Sequence, residues 1–269
     1  MRQLFMKKIY SKGLRILLLI LISVVIALSP SLAQTSRQGT LYAYDGFDYA
    51  LGSELQGLNG GTGWSGSWTT NAGANLGGKI IPGLSYIDTD GNRLPVKGGA
   101  LATDASVYFS QETRNTLQTF GTARKSVWLS FLVKQSSKPL DGVNYAEATI
   151  GAGYTFGSNA MLGGISADDI AVNPFYVGNT PEYTLANIAQ ASSASLIVLR
   201  FDFASNGNDT INLWVNPSLK NPGKPNISGA FRNYANPISG VTLAHGDYRT
   251  FVYDEVRIGS NYAAVVGNI

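Results

Sequence analysis

Apolar and polar positions alternate with a period of two over several short runs of the chain, the pattern of strands that bury one face. The clearest run is Ser195 to Pro217, SLIVLRFDFASNGNDTINLWVNP. Ile197, Leu199, Phe201 and Phe203 share one face of its first half, and Ile211, Leu213 and Val215 share one face of its second. Between them SNGND supplies Gly and Asn, which accept positive φ, so the stretch predicts an antiparallel hairpin. Residues paired across the ladder must point the same way. The register that matches both apolar faces pairs Ala204 with Thr210, Phe201 with Leu213 and Arg200 with Trp214, leaving the loop Ser205 to Asp209. The opposite face then carries Arg200, Asp202, Asn212 and Trp214.

Ser126 to Lys134 alternates in the same way, with Val127, Leu129, Phe131 and Val133 on one face and Trp128, Ser130, Leu132 and Lys134 on the other. It reads as a central strand. Leu41 to Asp48 opens the domain and Thr250 to Ile258 closes it, the latter with an inward set of Val252, Asp254, Val256 and Ile258. A carboxylate among core residues must accept backbone N–H groups, pair with a cation or ligate a metal. Ala105 to Phe109, Tyr145 to Ile150, Ala160 to Ile165 and Phe175 to Val177 are shorter strand candidates. Gln111 to Phe120 reads as a helical turn. The glycine-rich stretch Gly57 to Gly78 reads as a long ordered loop pinned by Trp64 and Trp68, and Asn216 to Gly240 as mostly loop. Many short strands joined by glycine-rich turns, with no internal repeat and no second-domain boundary, predict an all-β, two-sheet antiparallel sandwich.

The N-terminus stands apart from this pattern. Arg2, Lys7, Lys8, Lys12 and Arg15 precede the apolar run Ile16 to Leu28 and then Pro30-Ser31-Leu32-Ala33, the layout of a signal peptide cut after Ala33. The run is short against the roughly 20 residues that span a bilayer. The chain therefore divides into a signal peptide (1–33), a polar leader (34–40) and a single sandwich domain (41–269), and the product is expected to be secreted or periplasmic, free of the membrane once cut. An uncleaved anchor is the alternative. Removing the signal peptide takes away five of the 20 Lys and Arg and none of the 17 Asp and Glu, so the net charge falls from +3 to −2. With no cationic surplus left, there is no electrostatic footprint for nucleic acid. The absence of Cys excludes disulfides, thiolate metal sites and a lipidated N-terminal Cys.

Three stretches, GFDYALGSELQGLNGGTGW near the start, the hairpin, and VYDEVRIG near the end, resemble secreted bacterial domains of the concanavalin A-like lectin/glucanase superfamily, of laminin-G-like type. That resemblance implies a jelly-roll of two antiparallel sheets whose concave face often binds carbohydrate, and in many members a structural calcium ion. The glucanase motif Glu-x-Asp-x-x-Glu is absent. Beyond the leader there are five glutamates, Glu54, Glu112, Glu147, Glu182 and Glu255, and no two lie within five residues of each other. Two carboxyls from distant strands could still form a glycosidase pair.

Other chemical signals are isolated. His245, in Leu243-Ala244-His245-Gly246-Asp247, is expected in a turn or on the surface. Gly151-Ala152-Gly153 lacks the third glycine of a dinucleotide loop. Asp88-Thr89-Asp90-Gly91-Asn92 alternates oxygen ligands as calcium loops do, yet lacks the rest of such a loop and reads as a β-turn. Asp45 and Asp48 near the first strand and Asp254 on the last form a candidate calcium set, the alternative being that Asp254 caps backbone amides. Carbohydrate recognition needs an indole face with polar companions, and Trp214, Asn212, Asp202 and Arg200, with Trp128 on the neighbouring strand, supply one. If Arg200 instead stacks on Trp214 and loops cover both indoles, the face is structural. The leading expectation is a non-catalytic lectin-like module that binds a glycan or cell-surface polysaccharide. A structural or adhesive module without small ligand and a glycoside hydrolase are the alternatives.

Overall fold

The computed structural model describes residues 39–70, 77–104, 106–107, 109–121, 125–135, 146–150, 176–177, 180–181, 193–205, 208–232, 238–246 and 250–267. The signal peptide 1–33, residues 34–38 of the leader, Gly151-Ala152-Gly153 and the strand candidate Ala160 to Ile165 lie outside them. The strands are β1 (Leu41–Asp45), β2 (Thr69–Thr70), β3 (Lys79–Pro82), β4 (Gly99–Ala102), β5 (Phe109–Phe120), β6 (Ser126–Gln135) and β7 (Ala146–Ile150). They continue with β8 (Tyr176–Val177), β9 (Thr180–Pro181), β10 (Ser195–Asp202), β11 (Asn208–Val215), β12 (Ile227–Arg232), β13 (Ile238–Gly246) and β14 (Phe251–Gly259). A short helix, α1 (Tyr262–Val266), follows.

The larger sheet runs β12-β11-β10-β6-β14-β4-β3, with β1 also on β14; the smaller runs β2-β5-β13-β7, and β8 pairs β9. All described pairings are antiparallel. The fold is all-β, two antiparallel sheets packed as a sandwich around a shared core. Its core joins Val127, Leu129, Phe131, Ile197, Leu199, Phe201, Ile211 and Leu213 of the larger sheet to Val241 and Leu243 of β13. No helix among the described residues is long and apolar enough to cross a membrane.

The hairpin is present with its apolar faces as expected, but its register differs by two residues. Arg200 pairs Asn212, Val198 pairs Trp214 and Asp202 closes the ladder against Thr210. At the neck, Asp209 Oδ1 accepts the Ala204 N–H at 2.7 Å, and Phe203 N–H reaches Lys125 O at 3.0 Å. Side-chain capping thus takes the place of the expected Ala204–Thr210 pair. A slip of two leaves every side chain on its own face, which is why the alternation could not reveal it.

On β14 the alternation breaks. Phe251, Tyr253, Val256 and Ile258 point into the core, so the expected inward set is right only from Val256 onward. The cause is a bulge: Glu255 sits at φ 54 and the pairing with β6 shifts between Asp254 and Arg257. At the same place the outer neighbour of β14 changes from β4, at Val252 and Tyr253, to β1, from Val256 to Gly259.

Gln111 to Phe120 is a strand, not a helical turn. Ser110, Glu112 and Arg114 lie opposite His245, Leu243 and Val241 and so share the core face, all three about 1% exposed or less. A strand with polar residues inward carries no period-two hydrophobic signal. The expected loop from Asn216 to Gly240 likewise contains β12 and the start of β13.

Up to Ser67 the glycine-rich stretch is a loop, held as expected by Trp64 and Trp68, and Thr69–Thr70 form β2. Gly63 shows why glycine is needed there: at φ 81, a Cβ would sit 1.9 Å from Tyr42 O.

Candidate functional site

The five residues proposed for a sugar platform are brought together, but as a sealed cluster. The Trp128 and Trp214 rings stack at 5.2 Å and 20°, and Arg200 lies over both at 5.4 and 5.9 Å. Asp202 Oδ2 accepts Arg200 Nε–H at 2.8 Å and the Asn212 amide at 3.1 Å. Trp214 Nε1–H donates to Gly223 O, and the Tyr262 ring of α1 meets Trp128 edge-on at 5.7 Å. Leu219, Val265 and Val266 complete the cover, leaving Trp128 8% and Trp214 3% exposed. A sugar ring needs an open indole face, and neither face is open. The expectation of an exposed platform is therefore corrected: this cluster is a second hydrophobic core on the outer face of the larger sheet.

The three acids of the candidate calcium set are likewise separately engaged. Asp45 is buried and accepts Arg114 Nη1–H at 2.5 Å, Tyr49 O–H and Trp68 Nε1–H at 2.8 Å, and Phe47 N–H at 2.9 Å. Asp48 is exposed and faces Lys97 at 4.0 Å. Asp254 accepts Leu84 N–H at 2.8 Å and Glu255 N–H at 2.7 Å, the amide-capping alternative. Among the described residues, no group of three or more His, Asp or Glu is placed to hold a metal ion. Asp88 also serves as a turn anchor: it accepts Asp90 N–H, Asn92 N–H and Leu219 N–H.

Two buried acids have strongly altered proton affinities. Burial pushes Glu112 up to about 8, with the Ser110 hydroxyl opposing the rise. Burial likewise pushes Asp254 up to about 8, the Leu84 amide opposing it and the Glu255 charge adding to it. Ser110 Oγ stands 2.8 Å from both Glu112 Oε1 and His245 Nδ1, and Glu112 Oε2 has no hydrogen-bond partner among the described residues. His245, expected at the surface, is fully buried on β13 because it faces Ser110 across the ladder. Burial lowers its proton affinity.

Open space lies elsewhere. A groove of about 690 Å³ runs over the end of the larger sheet, beside the sealed indoles. Leu84, Tyr86 and Ile87 give it apolar surface, with Ile87 48% exposed, and Ser85, Lys134 and Asn216 give it polar groups. Among the described residues, its lining contains no carboxylate. Burial and then the Asp88 charge raise the Tyr86 hydroxyl to about 12, so it remains a hydrogen-bond donor. A smaller polar pocket of about 400 Å³ is lined by Glu54, Lys79, Asp104 and Thr250 among others. The groove was not legible beforehand because it is assembled from separate segments spread over residues 83 to 216; only Lys134, on the outer face of its strand, was placed correctly.

No protein-family model matches the chain, and no curated protein sequence matches it. Among solved structures, it is similar to a protein of unknown function from Shewanella oneidensis MR-1 (TM-score 0.48, 13% identity, 88% of this chain and 96% of that one). It is also similar to the endo-β-1,4-glucuronan lyase of the fungus Trichoderma reesei (0.45, 15%, 84% and 98%). A third is the Emp46p carbohydrate recognition domain in its metal-free form (0.43, 10%, 71% and 87%). The functional reading of this chain rests on its own side chains.

Proposed function

We propose that the chain is an exported, non-catalytic carbohydrate-binding module that takes a glycan or cell-surface polysaccharide in the groove beside the sealed indole pair. The observation that carries this reading is the composition of the groove. Sugars offer apolar C–H faces ringed by hydroxyls, and the groove offers Leu84, Tyr86 and Ile87 interleaved with Ser85, Lys134 and Asn216. Its volume lies within the ordinary range for ligand sites, which runs from roughly 300 to 1,000 Å³. Hydrolysis requires two carboxyl groups facing each other across the bond that breaks, and the described residues of the groove lining supply none, which favours binding over cleavage. Export follows from the N-terminal pattern of basic residues, an apolar run and Ala33; N-terminal sequencing of the cell-free product is expected to begin at Gln34.

The test is a binding screen of the processed chain against a polysaccharide and oligosaccharide panel, repeated with Ile87→Asp. Ile87 is half exposed, so the variant is expected to keep its melting temperature and lose retention. Retention unchanged by Ile87→Asp would move the site elsewhere. Silence across the panel would favour the second reading, a structural module without small ligand, which draws support from the sealing of Trp128 and Trp214.

A further inference from the structure

The sandwich interior holds one polar chain that the binding reading does not use. Glu112 is 1% exposed, and Ser110 and His245 are fully buried. They form a line: Glu112 Oε1 to Ser110 Oγ at 2.8 Å, Ser110 Oγ to His245 Nδ1 at 2.8 Å, and His245 Nε2 to Val107 O at 3.3 Å. Val107 belongs to the segment that follows Asp104, whose Oδ1 accepts the Ser106 N–H, and Asp104 and Ser106 both line the 400 Å³ pocket.

Proton counting restricts what this line can be. A carbonyl oxygen only accepts, so the bond to Val107 requires a hydrogen on Nε2. A neutral imidazole then has a bare Nδ1, which accepts from Ser110. The serine hydroxyl, having spent its one hydrogen, must accept from Glu112, which is possible only if the glutamate carries its proton on Oε1. The partnerless Oε2 is then a neutral carbonyl oxygen rather than half of a buried carboxylate, a far smaller cost. Raised proton affinity at Glu112 and lowered affinity at His245 agree with this assignment.

We propose that Glu112, Ser110 and His245 form a proton-linked switch: loss of the Glu112 proton reverses the Ser110 hydroxyl, moves the imidazole hydrogen from Nε2 to Nδ1, and releases the Val107 carbonyl. The balance is simple. One proton leaves Glu112 for solvent base; the new carboxylate accepts from Ser110; Ser110 accepts from Nδ1–H; and the imidazole stays neutral with one hydrogen. The Nε2 lone pair then faces the Val107 oxygen and that bond is lost. Among the described residues, no neighbouring charge shorts the switch. Arg114, two residues along β5 on the same face, is tied to Asp45, and Leu243 lies directly opposite Glu112. Asp104 acts on His245 through its charge and through its backbone as a second hydrogen-bond partner beside Val107, and the Tyr253 hydroxyl from β14 is engaged by Ala244 O. The released carbonyl belongs to the residue that follows Ser106, which lines the polar pocket, so the switch acts one residue from that pocket's wall.

The chain has a single histidine, so imidazole NMR signals are unambiguous. Long-range ¹H–¹⁵N spectra of the ¹⁵N-labelled chain are expected to show the Nε2–H tautomer at pH 6.5. The signal should move to Nδ1–H as pH rises through about 8, with the Val107 carbonyl ¹³C shift following the same midpoint. Glu112→Gln is expected to hold Nε2–H up to pH 9. If that variant does not fold, Ser110→Ala cuts the relay and should remove the pH dependence of the tautomer. Imidazolium at pH 6.5, or one unchanging tautomer from pH 6.5 to 9 in the unsubstituted chain, would overturn the proposal.

Discussion

Arg114→Met is the perturbation whose cost the structure specifies most closely. The guanidinium and the Asp45 carboxylate are each 1% exposed at the side chain and meet at 2.5 Å. Arg114 also donates from Nε to Gly66 O at 2.8 Å and from Nη2 to Asn59 Oδ1 at 2.7 Å, and lies over the Trp64 and Trp68 rings at 5.2 and 5.8 Å. It is the clasp between β5, β1 and the glycine-rich loop. Removing one member of a buried pair strands the other, which costs about 3 to 5 kcal/mol. That is a large part of the roughly 5 to 15 kcal/mol by which domains are stable. Urea titrations followed by tryptophan fluorescence should show that loss for Arg114→Met. Asp45→Asn should also destabilise, and the double variant should cost clearly less than the sum of the two, because the second change removes the stranded charge. Additivity within about 0.5 kcal/mol, or a cost below about 1 kcal/mol for Arg114→Met, would refute the clasp.

Trp214→Ala should act as a core truncation, costing about 3 to 5 kcal/mol in the same titrations, rather than as a selective loss of ligand; an unchanged melting temperature would contradict the sealed cluster. Asp254 has a folded-state pKa raised to about 8, so the folded chain keeps a proton that the unfolded chain releases near 3.8. Stability tied to this group is fully present below the lower value and falls by about 1.4 kcal/mol per pH unit until the higher is passed. Asp254→Asn should flatten the fall between pH 5 and 7.5 by about 3 kcal/mol, and an unchanged slope would mean that Asp254 is already ionised when buried. Because Asp45, Asp48 and Asp254 are each engaged apart, adding calcium or EDTA should leave the melting temperature where it is; a clear shift with calcium would restore a metal site.

The sequence carried the sandwich because β6, β10 and β11 place an apolar residue at every second position, on the core face. It carried less where burial is not apolar. Strand β5 presents Ser110, Glu112 and Arg114 to the core, so no hydrophobic period marks it, and with β5 invisible His245 had no reason to look buried. At Glu255 one residue with positive φ resets the face of everything after it, a shift that no window of alternation registers. The five platform residues were placed on the right face. What lay beyond reach was the cover: Leu219, Tyr262, Val265 and Val266 fold over that face from stretches that read as loop or as the chain's end. Apolar residues near an aromatic pair mean either an open site or a second core, and only the tertiary path of the chain distinguishes them.

The location of the ligand is the claim on which the account most depends. Amide chemical-shift mapping with an oligosaccharide retained in the binding screen tests it directly. Shifts gathered on residues 84–89, Lys134, Ser193, Ala194 and Asn216 are the predicted result. Shifts gathered instead on the outer face of the smaller sheet, around Thr113 and Thr242, or no shifts with any sugar of the panel, would contradict it.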